Sequence, residues 1–327
     1  MASISGDRPA FRAGILRFQP LYHERVWGGL ELARRFGREL PDGGPIGESW
    51  EIVDRPEAQS VVRGGPWDGT SLHTLWQDHR DEVFGLSAPK TPDFPLLVKI
   101  LDARDTLSLQ VHPPDSCAAE LGGEPKTEMW VVVDAEPGAA LYCGVKEGVG
   151  REEFAAALAA GTAADCVPRL PVRSGDAIFI PSGRLHAIGA GLVIFEIQQN
   201  SDTTYRVFDW NRVGLDGKPR SLHVDESLRC IDFTDTTPEL TPPDAPVLAS
   251  CEHFEVRRHR VVAGQSVSWG KAGEFSIVAV VSGEVVFAGE ALKPGDFAMV
   301  PAALSDVARS LSTGSDAELL ETTFGRR

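Results

Sequence analysis

The feature that most constrains the fold is a repeated turn, strand and turn pattern. RSGDAIFIPSGRLHAI begins at Arg173 and KPGDFAMVPAALSDVA begins at Lys293, and both combine a Gly-Asp pair, an apolar run and a proline. This alignment places His186 of the first copy opposite Asp306 of the second. Because short β-rich runs precede both copies, we predict a mainly β protein with two related antiparallel β-barrel-like domains.

A stretch before the first copy carries polar side chains on one face of a predicted strand. Alternate residues of a β-strand share a face, so Ser108, Gln110 and His112 point one way. The apolar residues between them point into a core. The Pro-Pro pair that follows ends the strand. The polar face is therefore either solvated or functional.

A second predicted strand opens at Lys126 and adds a carboxylate. Lys126, Glu128 and Trp130 share one face of this strand. A neutral imidazole, a carboxylate and a carbonyl-type oxygen are ligands that zinc or a similar divalent ion accepts. The two strands together predict one half of a metal site. A buried core histidine is the simpler alternative for His112, and a hydrogen-bonding role in a pocket is the alternative for Gln110.

Length and charge limit the possible functions. A chain of 327 residues with 42% apolar residues buries a large core and is long enough for two domains. The formal net charge of -15 argues against a nucleic-acid partner. An anionic substrate therefore requires a local cluster of lysine and arginine.

The cysteines and the N-terminal segment predict a cytoplasmic location. The five cysteines are scattered and contain no C-x-x-C pair, so we expect reduced thiols. They are Cys117, Cys143, Cys166, Cys230 and Cys251. The first twenty residues lack the apolar run of a signal peptide, and no stretch reaches membrane-spanning length. We expect a soluble protein without a membrane partner.

Two further stretches offer residues for a pocket. In PDGGPIGESWEIVD, Glu48 and Trp50 alternate along a predicted strand, and a carboxylate and an aromatic face both suit a hydroxyl-rich ligand. A surface glutamate beside a core tryptophan explains the same pattern. Lys99 is the one lysine of the apolar run DFPLLVKILDA, where it is solvated at its tip, paired, or a donor to phosphate.

Helices are expected in two places. One follows Ser71 through LHTLWQDHRDEVFG and ends near Gly85, and the other covers Arg151–Ala160. His73 and His79 lie on the first helix. Six residues apart, they do not share a face, so we do not expect them to be metal ligands.

Several motifs in order resemble one protein family. The pattern G-x5-P-x-G-x2-H that ends at His186 resembles the second motif of the cupin superfamily. QVHP, KTEMW and YRVFDW, together with the WGG turn and GESWE, resemble type I mannose-6-phosphate isomerases of the short bacterial form. The resemblance implies two cupin (jelly-roll β-barrel) domains with a few short helices. Residues 1–235 would form the metal-binding catalytic domain, 236–247 a linker rich in Pro, Thr and Asp, and 248–327 a degenerate second cupin domain without metal.

The resemblance also implies roles for individual residues. It assigns one zinc ion per chain to four ligands, Gln110, His112, Glu128 and His186. It matches active-site cations to Arg206 and Lys126, and substrate-binding positions to Ser108, Lys99 and Trp50. Three residues are candidates for the catalytic base, namely Glu48, Glu196 and Lys126.

The implied reaction is aldose-ketose isomerisation of a hexose 6-phosphate. Mannose 6-phosphate and fructose 6-phosphate would interconvert by proton transfer between C1 and C2 through an enediol, with zinc stabilising the developing charge. The alternatives are an isomerase of another sugar phosphate and a non-catalytic sugar-binding cupin regulator. A metal-dependent oxygenase would prefer an open iron centre and has no need of Lys126 and Arg206. Monomer and homodimer are both compatible with the sequence.

Overall fold

The computed structural model describes residues 14–325, and this part of the chain is mainly β. Strands account for 38% and helices for 13%, which confirms the predicted class. The segment 1–13, on which the expected lack of a signal peptide partly rests, lies outside the described residues. The same holds for residues 326–327 at the end of the predicted second domain.

The strands fall into two consecutive groups, which we call the first half and the second half. The first half contains β1 (Leu21–Gly29), β2 (Ile46–Ile52), β3 (Asp54–Arg55), β4 (Ala58–Gln59), β5 (Leu96–Ala103), β6 (Leu109–Val111), β7 (Glu128–Ala135), β8 (Ala140–Cys143), β9 (Arg169–Pro171), β10 (Ala177–Ile180), β11 (His186–Ile188), β12 (Leu192–Gln199) and β13 (Tyr205–Phe208). The second half contains β14 (Val247–Ser250), β15 (Phe254–Val261), β16 (Ser266–Ser268), β17 (Ser276–Ser282), β18 (Val285–Phe287), β19 (Glu290–Leu292), β20 (Phe297–Val300), β21 (Ser310–Thr313) and β22 (Ala317–Phe324).

The helices are short. They are α1 (Glu31–Phe36), α2 (Leu72–Asp78), α3 (Arg80–Phe84), α4 (Arg151–Ala160) and α5 (Val224–Cys230). The helix predicted after Ser71 is divided, because His79 has a non-helical φ of -127° between α2 and α3. The helix predicted at Arg151–Ala160 has the expected bounds, and Gly161 ends it with a φ of 73°.

Each half packs two antiparallel sheets around apolar side chains. In the first half the sheets have the orders β1-β2-β5-β12-β7-β10 and β13-β6-β11-β8-β9. In the second half the orders are β14-β15-β22-β17-β20 and β16-β21-β18-β19. Leu101 and Leu141 belong to different sheets of the first half and to one apolar cluster. Val278 and Leu311 do the same in the second half. The two halves therefore share one architecture.

The two halves also share a core. One apolar cluster contains Phe94 and Phe195 of the first half together with Phe275 and Phe297 of the second. The segment predicted as a linker is packed as well, since the Thr241 backbone N–H donates to the Ala177 carbonyl at 2.8 Å. The predicted domains are thus in extensive contact.

The repeated turn has the same geometry in both copies. Gly175 and Gly295 have φ values of 93° and 83°, a conformation that favours glycine. The carboxylates of Asp176 and Asp296 each accept the backbone N–H three residues earlier, at 2.9 and 3.0 Å. The sequence repeat is therefore a structural repeat.

The turn glycines identify equivalent strand positions in the two halves. Five residues before its glycine, Leu170 pairs with Leu141 in the first half. At the same distance from the second glycine, Glu290 pairs with Phe287. Leu141 and Phe287 are therefore equivalent.

This register corrects the sequence alignment after the proline. Leu141 pairs with Ile188, and its equivalent pairs with Leu311, so Ile188 and Leu311 correspond. Two residues earlier, His186 therefore corresponds to Arg309 and not to Asp306. The turn of the second half is longer, and the Asp306 carboxylate lies there and accepts the Ala272 N–H at 2.8 Å.

Arg309 occupies the interior of the second half. Its side chain is 1% exposed, and its guanidinium donates to backbone carbonyls at 2.7 to 3.4 Å. These carbonyls belong to Trp269, Glu274, Pro301 and Leu304. Ser276 pairs with the residue before the turn proline, as Glu128 does in the first half, and its hydroxyl accepts the Trp269 indole N–H at 3.0 Å. A hydrogen-bonded arginine and serine therefore fill the positions of a histidine and a glutamate.

Candidate metal and substrate site

Three ionisable side chains meet where strands of the first half begin or end. His112 follows β6, Glu128 opens β7 and His186 opens β11. All three are buried, with at most 1% exposed. Nε2 of His112 lies 3.4 Å from one carboxylate oxygen of Glu128, and Nε2 of His186 lies 3.6 Å from the other.

Backbone carbonyls fix the orientation of both imidazoles. Nδ1 of His112 donates to the Thr203 carbonyl at 2.9 Å, and Nδ1 of His186 donates to the Arg184 carbonyl at 2.9 Å. A carbonyl only accepts, so each Nδ1 carries the proton and each Nε2 presents a lone pair to Glu128. This is the tautomer that a metal ligand requires.

Three of the four acceptor atoms that face one another in this trio lack hydrogen-bond partners. Nε2 of His112 and both carboxylate oxygens of Glu128 are enclosed and unsatisfied. The Lys126 ammonium lies 3.1 Å from one of these oxygens as an ion pair, without the geometry of a hydrogen bond. Unsatisfied buried acceptors cost about 1 to 3 kcal/mol each. Tetrahedral zinc ligands lie roughly 3.3 to 3.6 Å apart, so the trio fits a zinc-type ion.

Gln110 lies beside the trio. Its Nε2 is 3.3 Å from Nε2 of His186, and its Oε1 accepts from the Ser108 hydroxyl at 3.2 Å. Exchange of the two amide atoms would turn Oε1 toward the imidazole and let Nε2 donate to Ser108. The amide is therefore placed to serve as a fourth ligand.

Burial and neighbouring charges set the protonation of the trio. Burial, assisted by the Lys126 ammonium, lowers the pKa of His112 to about 3. Burial also lowers the pKa of His186. Burial opposes ionisation of Glu128, but the Lys126 ammonium outweighs it and holds the pKa of Glu128 well below the usual range. Two neutral imidazoles and one carboxylate result, which is the state that binds a divalent cation.

A cavity of about 420 Å³ opens beside this trio. The predicted site residues that line it are Glu48, Lys99, Ser108, Gln110, Lys126, Glu196 and Arg206. Five cationic side chains and three carboxylates belong to its wall. The cations are Arg25, Lys99, Lys126, Arg206 and Arg220, and the carboxylates are Glu48, Glu196 and Asp202. The chain thus concentrates positive charge here despite its net charge of -15.

Lys99 lies between two carboxylates of the cavity wall. Its ammonium is 3.8 Å from Glu48 and 3.4 Å from Glu196. Each carboxylate also accepts an indole N–H, Glu48 from Trp50 at 2.7 Å and Glu196 from Trp130 at 2.9 Å. Trp50 itself does not line the cavity, contrary to the expectation that it faces the ligand. Its role in the structure is to donate a hydrogen bond to Glu48.

Arg25 is a wall residue that the sequence did not identify. Its guanidinium donates to both oxygens of Glu48, at 2.9 and 3.2 Å. Burial alone would raise the pKa of Glu48, but Lys99 and Arg25 outweigh it and lower the pKa to about 2. For Glu196 burial prevails, with the nearby Glu128, and the pKa is raised.

Arg206 is the cation nearest to Ser108. Its Nε donates to the Ser108 hydroxyl at 3.2 Å, and its Nη1 donates to the Ser221 carbonyl at 3.1 Å. Among residues 14–325 no carboxylate lies within 4 Å of its guanidinium. Lys99 and Lys126 line the same cavity but contact carboxylates and not Ser108. The cavity therefore holds the local cluster of lysine and arginine that an anionic substrate requires, and Arg206 is the member that contacts Ser108.

Lys126 is held in its charged form by the carboxylates around it. Burial disfavours its ammonium, but the carboxylates of Glu128 and Glu196 outweigh burial and raise its pKa.

The other described regions hold different features. A cavity of about 1050 Å³ lies between the halves, and none of the predicted site residues lines it. His73 contacts the buried Asp54 at 3.1 Å, whereas the His79 ring packs on Trp67 at 4.6 Å, so the two histidines are separate as expected. Within residues 14–325 no helix has the length and apolar character needed to cross a membrane.

Comparisons with known proteins identify similar chains. A model of the phosphomannose isomerase type I catalytic domain matches residues 15–137. A mannose-6-phosphate isomerase from Streptococcus mutans is 38% identical, over 88% of this chain and 92% of that protein. The mannose-6-phosphate isomerase ManA from Bacillus subtilis is 35% identical, over 89% and 94%. The crystal structure of the mannose 6-phosphate isomerase from Bacillus subtilis superimposes with a TM-score of 0.82 at 28% identity, covering 96% of this chain and 100% of that one.

Proposed function

This chain belongs to the type I phosphomannose isomerases, and we propose that it interconverts mannose 6-phosphate and fructose 6-phosphate with one bound zinc ion. The observation that carries the proposal is the buried trio with unsatisfied acceptors next to a cation-rich cavity. The names of the relatives at 38% and 35% identity support the same substrate.

His112, Glu128 and His186 would hold the ion, with Gln110 as the fourth ligand. Two imidazoles, one carboxylate and one amide leave the ion a net charge near +1. Such an ion supplies Lewis-acid stabilisation of negative charge that develops on the sugar oxygens. The neighbouring Lys126 ammonium adds a second positive charge on the same side of the cavity.

Proton transfer between C1 and C2 through an enediol requires a base in the cavity wall. Glu48 is held ionised by Arg25 and Lys99, which makes it a weak base. Glu196 has a raised pKa, although the Lys99 ammonium at 3.4 Å acts against this shift, so it is the better proton acceptor of the two. Arg206, without a carboxylate partner among the described residues, would bind the phosphate group with the Ser108 hydroxyl.

We further propose that residues 1–235 form the metal-binding domain and that the second domain, residues 248–327, binds no metal. The support is the substitution of Arg309 and Ser276 at the positions of His186 and Glu128. A fixed guanidinium there is incompatible with a second cation. A cytoplasmic location and a monomeric or homodimeric state stay predictions.

A turnover assay of the purified, metal-quantified protein tests the function. Mannose 6-phosphate should be converted to fructose 6-phosphate with about one zinc per chain, and other hexose 6-phosphates should react more slowly. Faster turnover of a different sugar phosphate would identify a related isomerase. Binding without turnover would favour the sugar-binding regulator.

A further inference from the structure

β1 departs from its ladder just where it reaches the cavity. Glu24 and Gly29 both align with Ile46 of β2, so residues 25–28 bulge out between them. Bulges beside active sites redirect side chains. This bulge brings Arg25 and Trp27 to the cavity wall.

Gly47 makes room for the redirected arginine. A Cβ atom at Gly47 would lie 2.6 Å from the Cβ of Arg25 and 2.7 Å from the ring of Trp27. Both distances are shorter than real contacts allow. The glycine of the GESWE motif thus lets the Arg25 side chain cross β2 and reach the adjacent Glu48.

Arg25 fixes the Glu48 carboxylate at both oxygens. Its Nε donates to Oε1 at 2.9 Å, its Nη2 donates to Oε2 at 3.2 Å, and its Nη1 donates to the Glu24 carbonyl at 3.1 Å. The Trp50 indole adds a donor to Oε2 at 2.7 Å. A paired guanidinium fork of this kind sets the plane as well as the charge of a carboxylate.

Arg25 is also what distinguishes the two glutamates of the wall. Glu48 and Glu196 share the Lys99 ammonium, and each accepts one indole N–H. The guanidinium contact belongs to Glu48 alone of the two. The cavity wall therefore contains two carboxylates with similar contacts, and of these two only Glu48 is also held by a guanidinium.

We propose that Arg25 is a positioning residue that keeps Glu48 a fixed, ionised acceptor for hydroxyl groups of the sugar, so that Glu48 binds substrate and does not transfer the proton. The inference rests on the proposed isomerase function and deepens it. It assigns different roles to Glu48 and Glu196, two carboxylates with otherwise similar contacts. It also gives the WGG and GESWE segments one shared role, which is to hold the Glu48 carboxylate in place.

Charged groups on several elements surround Glu48. They are Arg25 and His23 on β1, Lys99 on β5, Glu196 on β12 and, near His23 and Arg25, Asp202. Loss of Arg25 removes one of the two cations that lower the pKa of Glu48 to about 2. That pKa then rises toward its ordinary value of 4.5. Activity that needs the ionised form is present above this pKa and is lost as the pH falls through it.

A double-mutant cycle, together with a measurement of the pKa of Glu48, tests the proposal. The variants are Arg25→Met, Glu48→Gln and the double substitution, with the exposed Arg104→Met, whose partner is Glu136, as matched control. Arg25→Met should lower kcat/KM for mannose 6-phosphate by about 10- to 150-fold, the range for a charge-assisted hydrogen bond, and leave the zinc content unchanged. In the Glu48→Gln background the same change should cost less than about threefold.

The pKa of Glu48 and the lysine variant separate positioning from packing. Arg25→Met should raise the pKa of Glu48, measured by NMR of its labelled carboxyl carbon, by about one unit or more, and Arg104→Met should leave it unchanged. Arg25→Lys keeps the charge without the fork, so the pKa of Glu48 should stay low while kcat/KM recovers only in part. If Arg25→Met is not folded by circular dichroism, the cycle is measured with Arg25→Gln.

Two outcomes would overturn this inference. An unchanged kcat/KM and an unchanged pKa of Glu48 in Arg25→Met would show that Glu48 does not need the clamp. Additive losses in the double variant would show that Arg25 acts on the substrate directly. Absence of turnover by the zinc-loaded wild-type protein would instead refute the proposed function, so the two failures are distinguishable.

Discussion

Replacement of Arg206 by alanine tests how an acidic protein selects a phosphosugar. A guanidinium has five N–H donors, and Arg206 uses two of them on the Ser108 hydroxyl and the Ser221 carbonyl. Three donors stay available for an anion in the cavity. Since no described carboxylate lies within 4 Å, the positive charge is not neutralised by the protein.

The size of the effect follows from these contacts. A hydrogen bond to a charged group contributes about 1.5 to 3 kcal/mol, so loss of one contact to the phosphate should lower kcat/KM by roughly 10- to 150-fold. Arg206→Lys keeps the charge but not the fork and should lose less. Zinc content should be unchanged, because Arg206 contacts none of the trio.

The assay compares mannose 6-phosphate with unphosphorylated mannose. Arg206→Ala should lose kcat/KM for the phosphorylated sugar only, and a fall in kcat itself would indicate that Arg206 also acts on the developing charge. Arg229→Gln, an exposed arginine of α5 that pairs with Glu120, is the matched control. Equal losses for both sugars, or wild-type kcat/KM in Arg206→Ala, would refute the assignment of Arg206 to the phosphate.

Three further predictions concern the metal, the second half and pH. His186→Ala should lose zinc and turnover together, as measured by elemental analysis, and an active metal-free variant would contradict the site. Arg309→Met removes the guanidinium donor from four backbone carbonyls, so it should lower the free energy of unfolding by several kcal/mol while the zinc content stays near one per chain. Burial raises the pKa of Asp102 to about 6, although its carboxylate accepts the Glu31 N–H at 2.6 Å. A raised pKa contributes stability that is full below about pH 3.8 and is lost as the pH rises through 6, so Asp102→Asn should flatten the fall of the melting temperature between pH 4 and pH 8.

The sequence was most informative where strand periodicity and tight turns fix the direction of a side chain. Ser108, Gln110 and His112 were predicted to share a face, and their side chains do converge on the cavity and the trio. His186 meets His112 because β11 pairs with β6, whereas Glu128 reaches them from the start of β7 in the other sheet of the first half.

The remaining contacts of the site depend on irregular backbone, which no residue pattern in the sequence predicts. Arg25 reaches Glu48 through a bulge in which four residues leave the ladder, and periodic alternation does not locate such a bulge. Trp50 alternates with Glu48 as predicted, yet it does not line the cavity. Its indole N–H donates to the Glu48 carboxylate instead. Asp306 was aligned with His186 because a longer turn in the second half shifts Arg309 into that position.

Arg309 gives the second half a cation that is part of the polypeptide. A covalently attached charge does not dissociate, is not removed by chelators and is not exchanged for a competing metal. The interior of the second half therefore needs no metal ion, and phenylalanines of this half also belong to the core that both halves share. If the proposed zinc ion is absent from the first half, we expect the second half and the shared core to stay folded, so that a metal-free chain can bind the ion afterwards.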